Sequence, residues 1–207
     1  MTDIRHIFFD IGGVLGSNGW DREQRQQAVE KFGLDAAHFQ ARHEEMAGSL
    51  EAGEVTLDEY LDVVVFGSPR NFTPAEFREY MFSLSSADPE VIGIARDISI
   101  AGRHWLMTLN NESDELNRFR IETFGLKEIF DAFLSSCWLG LRKPTHKFYV
   151  RALQIAQADP RESLFIDDRE HNVKAAQAMG IHTIHYTSAQ ALRTELEAMG
   201  ISLKTER

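Results

Sequence analysis

Three carboxylates stand where short apolar runs of this chain end. Asp10 closes Ile7-Phe8-Phe9, and Asp167-Asp168 close Leu164-Phe165-Ile166. If these runs are neighbouring strands of a parallel sheet, the three converge at one edge. Such a cluster cannot stay ionised without a cation, because like charges at close range raise each other's pKa. An oxygen-rich, solvent-facing set suits Mg²⁺, which is hard and keeps several waters. An Asp at a strand end also caps the helix that follows, and for any one of the three alone that is the better reading. All three together, each after an apolar strand, point to a site. Lys143, in Gly140-Leu-Arg-Lys-Pro, can offset negative charge on a phosphate and on a nucleophile; taken alone, a solvated loop lysine explains it equally well. Asn110-Asn111 end the run that starts at His104, so their amides can bond a phosphate oxygen. Asn also tolerates turn geometry, and alone that structural reading wins.

The elements that must position these residues follow from the apolar pattern. Ile4 to Asp10 is continuous and rich in Ile and Phe, as in a strand buried on both faces of a parallel sheet. Four more strands are expected: His104–Leu109, Asp131–Ser136, Ser163–Asp168 and Ile181–Tyr186. Helical patterns separate them at Ser113–Phe124, Pro144–Ala158, Glu170–Met179 and Ser188–Met199, with Gly125, Gly180 and Gly200 as stops and Pro144 in a first turn. Strands alternating with helices imply a doubly wound parallel α/β sheet. Residues 17–87 differ. They carry helical signals only, at Asp21–Phe32, Asp35–Leu50, Thr56–Val65 and Thr73–Leu84, and Thr56-Leu-Asp-Glu and Thr73-Pro-Ala-Glu read as capping boxes. The expected division is a core of residues 1–16 and 88–207 with an inserted helical module, 17–87. The insertion lies at the carboxyl end of a strand, where open α/β sheets bind ligands, so it reads as a cap over an active site. The tail after Leu203 is expected to fray.

Composition narrows the function. The 207 residues include 32 acidic and 22 basic side chains, a formal charge of −10, which argues against nucleic acid and against anionic lipid. A single cysteine, Cys137, excludes a disulfide framework and a cysteine-rich zinc site. No apolar stretch approaches a membrane span, and Met1-Thr-Asp-Ile-Arg-His lacks the layout of a signal peptide. The expectation is a cytoplasmic protein with a small-molecule ligand, monomeric or homodimeric.

Four segments in order resemble the haloacid dehalogenase-like hydrolase superfamily, over nearly the whole chain. Asp10-Ile-Gly-Gly-Val-Leu matches the first family motif, whose leading Asp is the nucleophile. Leu109-Asn110-Asn111 falls where the second motif normally offers Ser or Thr followed by Asn. Arg142-Lys143-Pro144 matches the lysine motif, and Phe165-Ile-Asp167-Asp168 with Asn172, Ala175, Ala176 and Gly180 matches the fourth. The helical insertion falls where the family places its cap, on a Rossmann-like core, and Glu51-Ala-Gly53-Glu-Val-Thr-Leu-Asp-Glu-Tyr is similar to caps of the phosphatase branch. The resemblance implies a phosphatase of a small phosphorylated metabolite acting through an aspartyl-phosphate on Asp10. It further implies Mg²⁺ held by Asp10, the Gly12 carbonyl and Asp168, with Asp167 acting through water, and phosphate met by Asn110, Asn111 and Lys143.

The chain departs from that pattern at Gly12, where phosphatases of the family usually carry a second Asp that protonates the leaving group and then activates water. A positioned proton donor contributes about 10²–10⁴-fold in rate. Three outcomes stay open: another group such as Asp167 or a cap residue substitutes, the substrate has a good leaving group such as an anomeric sugar phosphate, or the protein is a weak catalyst that mainly binds a phosphometabolite or a protein partner. The metal-independent 2-haloacid dehalogenases are the nearest competing enzymes, but they have no need of the Asp167-Asp168 pair. Trp20 reads either as a substrate contact or as an anchor at the cap hinge, His171 as a surface helix residue near the site, and Cys137 as a packing residue. The orientation of Arg42 and His43 stays open.

Overall fold

The computed structural model describes residues 3–203; the tail expected to fray lies outside them. Five parallel strands, β1 (His6–Phe9), β2 (Trp105–Asn110), β3 (Ala132–Ser135), β4 (Ser163–Asp167) and β5 (His182–His185), form one sheet in the order β3-β2-β1-β4-β5. The central strand has no polar face because neither side meets water. Ile7 and Phe9 pack with Ile94, Ile98, Leu164 and Ile166 on one face, while Phe8 packs with Phe148, Tyr149 and Phe165 on the other. All three strand residues are buried, which is why the run reads as continuous rather than alternating.

Among the described residues, ten α-helices surround or extend the sheet: α1 (Arg22–Phe32), α2 (Ala36–Glu51), α3 (Leu57–Val64), α4 (Pro74–Ser83), α5 (Pro89–Ala101), α6 (Asp114–Thr123), α7 (Ser136–Leu139), α8 (His146–Ala156), α9 (Glu170–Gln177) and α10 (Ala189–Ala198). Both expected capping boxes form: each Thr hydroxyl accepts from the amide three residues on, and Glu59 and Glu76 reach back to the Thr amides. Helices α1 to α4 enclose a hydrophobic cluster of their own, including Phe39, Leu57, Tyr60, Leu61, Phe77 and Met81, to which α6 adds Leu116. The chain enters and leaves this bundle through two adjacent antiparallel segments: Ser17 N donates to the Ser86 carbonyl at 2.8 Å and Asp88 N to the Leu15 carbonyl at 2.9 Å. Gly16 is required there, since a Cβ would stand 2.5 Å from the Ser86 oxygen.

The structure adds one helix to the expected set and corrects two expectations. Helix α5, over 89–101, is the addition. Its start signals were present, with Asp88 accepting from the Glu90 and Val91 amides and Pro89 in the first turn. Pro144 precedes α8 rather than opening it: residues 142–145 form a turn closed by Thr145 N on the Arg142 carbonyl, and Thr145 is the N-cap. Ser136, expected to end β3, instead starts the single turn α7.

Candidate active site

Strand register assembles the site. Phe9 lies beside Ile166, and Asp10 N donates to the Ile166 carbonyl at 2.9 Å, so Asp10 and Asp167 emerge side by side at the carboxyl edge. Oxygens of Asp10, Asp167 and Asp168 all lie within 4.8 Å of one another. Lys143, on the loop after α7, projects its ammonium between two of them, 2.9 Å from Asp10 Oδ1 and 2.6 Å from Asp167 Oδ2. Asp167 is saturated: it also accepts from Asn172 Nδ2 and the Arg169 amide. Asp168 Oδ1, by contrast, is buried with no hydrogen-bond partner among the described residues. The turn after Asp10 needs glycine at position 13, where φ is +76° and a Cβ would stand 2.4 Å from Asp168 Oδ2.

The electrostatics of this cluster are unbalanced. Burial raises the Asp10 carboxyl above the usual carboxylate range, Lys143 opposes the rise, and Asp167 and Asp168 add to it. Asp168 is raised by burial and then by Asp167. For Lys143, burial works against the charged form, yet Asp10 and Asp167 outweigh it and hold the pKa above its ordinary value. One ammonium against three carboxylates leaves negative charge over, and a buried carboxylate oxygen without a partner costs free energy. An all-oxygen donor set with one orphaned oxygen fits a hard divalent cation such as Mg²⁺.

Asn110 and Asn111 lie at this cavity, of about 170 Å³. Asn110 is tied into a buried triangle: its Nδ2 donates to Asn117 Oδ1, Asn117 Nδ2 to Ser135 Oγ, and Ser135 Oγ to Asn110 Oδ1, each at 2.9 Å. One amide hydrogen of Asn110 is left over. Asn111 spends its amide on the lysine loop, donating to the Lys143 carbonyl at 3.0 Å and accepting from the Lys143 amide at 2.9 Å. The sequence reading placed both beside the phosphate; it did not contain this clamp.

A second cavity of about 370 Å³ adjoins the first and runs along α1 and α2. His43 lines it, with Nδ1 2.8 Å from the Tyr60 hydroxyl, whereas Arg42 is exposed and paired with Glu45. Burial pushes the His43 imidazole down to about 4. Trp20 borders this cavity, but its indole is buried among Phe39 and Phe77 and donates to Tyr60 at 2.9 Å, as an anchor does. Its backbone sits at φ +41°, held by Gln24, which accepts from its amide, and Arg25, which donates to its carbonyl. His171 is exposed at the rim of the smaller cavity. Cys137 is half-buried with its thiol pushed up to about 12 by burial, which disfavours the thiolate.

The sequence reading missed Glu112 and Arg120. Glu112 follows Asn111 on the loop after β2 and is buried, its Oε1 accepting from the Ser113 amide. Burial pushes its pKa up to about 7, against the pull of Arg120. Arg120, on α6, is 1% exposed and bonds the Ser17 carbonyl and hydroxyl and the Ser85 hydroxyl, with Nη1 3.8 Å from Glu112 Oε2. Position alone signals Glu112, two residues beyond a strand end at the carboxyl edge. Arg120 meets Ser17 across 103 residues of sequence, and nothing local announces it.

The sequence model of haloacid dehalogenase-like hydrolases matches residues 4–180. The chain belongs to this family. As a haloacid dehalogenase-like hydrolase it is 26% identical over 201 residues to the sesquiterpene phosphatase astK of Aspergillus oryzae, covering 96% of this chain and 97% of the relative. It is 24% identical over 204 residues to the D-ribitol-5-phosphate phosphatase of Bacteroides thetaiotaomicron, covering 93% and 97%. Among solved structures, its fold matches a haloacid dehalogenase-family enzyme of Bacteroides thetaiotaomicron in complex with magnesium and inorganic phosphate. The TM-score is 0.73 at 22% identity, over 89% of this chain and 94% of that one. No helix among the described residues of this hydrolase is long and apolar enough to cross a membrane.

Proposed function

We propose that this hydrolase is a Mg²⁺-dependent phosphatase of a small phosphorylated metabolite, such as a sugar phosphate. The observation that carries the reading is Lys143 bridging Asp10 and Asp167 beside an unpartnered Asp168 oxygen. Asp10, the Gly12 carbonyl and Asp168 would hold the cation directly and Asp167 through water; once bound, it supplies positive charge to phosphoryl oxygens. Asp10 attacks phosphorus, giving an aspartyl-phosphate that water hydrolyses. Lys143 neutralises the nucleophile's charge and that of the incoming phosphoryl group, while Asp167 and Asn111 fix the lysine at its head and its backbone. Asn110 offers its spare amide hydrogen to a phosphate oxygen. The phosphatases among the relatives support this reading.

Residues 17–87 serve as the cap, on a core of 1–16 and 88–207; the paired entry and exit at 15–17 and 86–88 supports that boundary. The single cysteine, Cys137, is compatible with a cytoplasmic setting. Phosphate release from sugar phosphates and p-nitrophenyl phosphate, with Mg²⁺ or EDTA, tests the reading. Loss of release in EDTA and in Asp10→Asn supports it. Halide release from 2-haloacids unaffected by EDTA would mark a dehalogenase instead, and ligand-induced thermal stabilisation without turnover would mark a binding protein.

A further inference from the structure

Position 12 carries no acid, although a Cβ fits there: it would meet nothing nearer than Gly19 N at 3.4 Å and Arg120 Nη1 at 3.6 Å. That guanidinium leads to Glu112, whose Oε2 stands 3.8 Å from it. Glu112 lines both cavities, the smaller with Asp10 and Lys143 and the larger beneath α1 and α2. A phosphate ester with phosphorus at Asp10 and its alcohol in the larger cavity has its bridging oxygen at the junction between them. Among the described residues, only two acidic ones line both cavities, Glu51 and Glu112. Glu51 is held by Arg142 at 2.9 Å and is over a third exposed. Glu112 is buried, its Oε1 bound to the Ser113 amide and its Oε2 beyond hydrogen-bond range of Arg120. Gly19 makes space for that oxygen, since a Cβ there would lie 1.9 Å from it. Asp167, the other candidate, has both oxygens committed to Lys143, Asn172 and the Arg169 amide.

We propose that Glu112 is the general acid–base of this site, filling from the loop after β2 the role left open at Gly12. The inference rests on the phosphatase reading. As the Asp10–phosphorus bond forms and the ester P–O bond breaks, the Glu112 carboxyl gives its proton to the leaving oxygen. The resulting carboxylate then takes a proton from water as that water attacks phosphorus and Asp10 departs. The groups facing Glu112 are Arg120 from α6, Glu51 from α2, Arg169 after β4 and, across the cavity, Asp10 and Lys143. Burial outweighs the attraction of Arg120, so the carboxyl still holds a proton near neutral pH.

The test compares wild type, Glu112→Gln and the Gly12→Asp/Glu112→Gln double variant on p-nitrophenyl phosphate and glycerol 2-phosphate with Mg²⁺. p-Nitrophenolate leaves without a proton, so Glu112→Gln still releases a first-turnover burst of about one equivalent and then slows. On glycerol 2-phosphate the first turnover itself falls about 10²–10⁴-fold, and the Gly12→Asp change restores it in part. Without any variant, wild-type kcat/KM for glycerol 2-phosphate declines above a pH near 7 relative to that for p-nitrophenyl phosphate. Equal loss on both esters, no loss on either, or a parallel pH profile for the two overturns the role of Glu112 alone. A wild type that hydrolyses neither ester, with no phosphate released, overturns the phosphatase reading and this inference with it.

Discussion

Replacing Arg120 by Met keeps the bulk of the side chain and removes its charge and all of its donors. At pH 6 the Glu112 carboxyl, whose pKa is pushed up to about 7, is largely protonated with or without the arginine. The loss there is the hydrogen bonding to Ser17 and Ser85, about 2 kcal/mol for donors on a charged group. Above pH 7 the two proteins diverge. A carboxyl whose folded pKa is raised above its unfolded value lowers stability as pH climbs from the unfolded value to the folded one, and the loss levels off beyond that. In wild type the levelling comes near pH 7; without Arg120 the folded pKa is higher and the loss continues. Each further pH unit costs about 1.4 kcal/mol, so the destabilisation reaches between 3 and 4 kcal/mol at pH 8, roughly what breaking a buried ion pair costs. For a chain of this size, the melting-temperature deficit of Arg120→Met grows by about 3–6 °C between pH 7 and 8. Thermal melts of wild type, Arg120→Met, Glu112→Gln and the double variant across pH 6 to 8 read this directly. The pH-dependent part disappears when glutamine replaces Glu112. A deficit equal at pH 6 and pH 8, or a pH-dependent part that persists in the double variant, would refute the reasoning.

Two further predictions concern the catalytic edge. Asn111→Ala removes both bonds to the Lys143 backbone; we expect about 1–2 kcal/mol lower stability by denaturant unfolding and a kcat reduced at least tenfold with KM little changed. Gly13→Ala places a methyl group against Asp168 in a left-handed backbone, so stability falls by about 1–2 kcal/mol and calorimetric Mg²⁺ affinity drops sharply. Unchanged Mg²⁺ affinity in that variant would remove Asp168 from the cation site.

What could be read in the sequence was what local chemistry encodes. Asp10 and Asp167-Asp168 were legible because each follows an apolar strand, and parallel strands present their carboxyl ends on one edge. The starts of α3 and α4 were legible because Thr56, Glu59, Thr73 and Glu76 carry the whole capping interaction within four residues. Helix α5 carries the same kind of signal at Asp88-Pro89, in the short stretch between the bundle and β2. The second job of Asn111 was not legible: its clamp on Lys143 spans 32 residues and depends on β2 and the lysine loop meeting at the sheet edge. The Glu112–Arg120 contact is hidden for the same reason, since what surrounds the two buried groups defines it. The net charge of −10 foretold a need for cations, and the structure locates that need at one ammonium facing three carboxylates.

The most direct test of the central claim is mass spectrometry of the enzyme acid-quenched during turnover of a phosphate ester with Mg²⁺. The account predicts one added phosphoryl group on the peptide containing Asp10, absent in EDTA and in Asp10→Asn. Phosphate released at the full rate by Asp10→Asn, with no phosphoryl group found on that peptide in wild type, would contradict it.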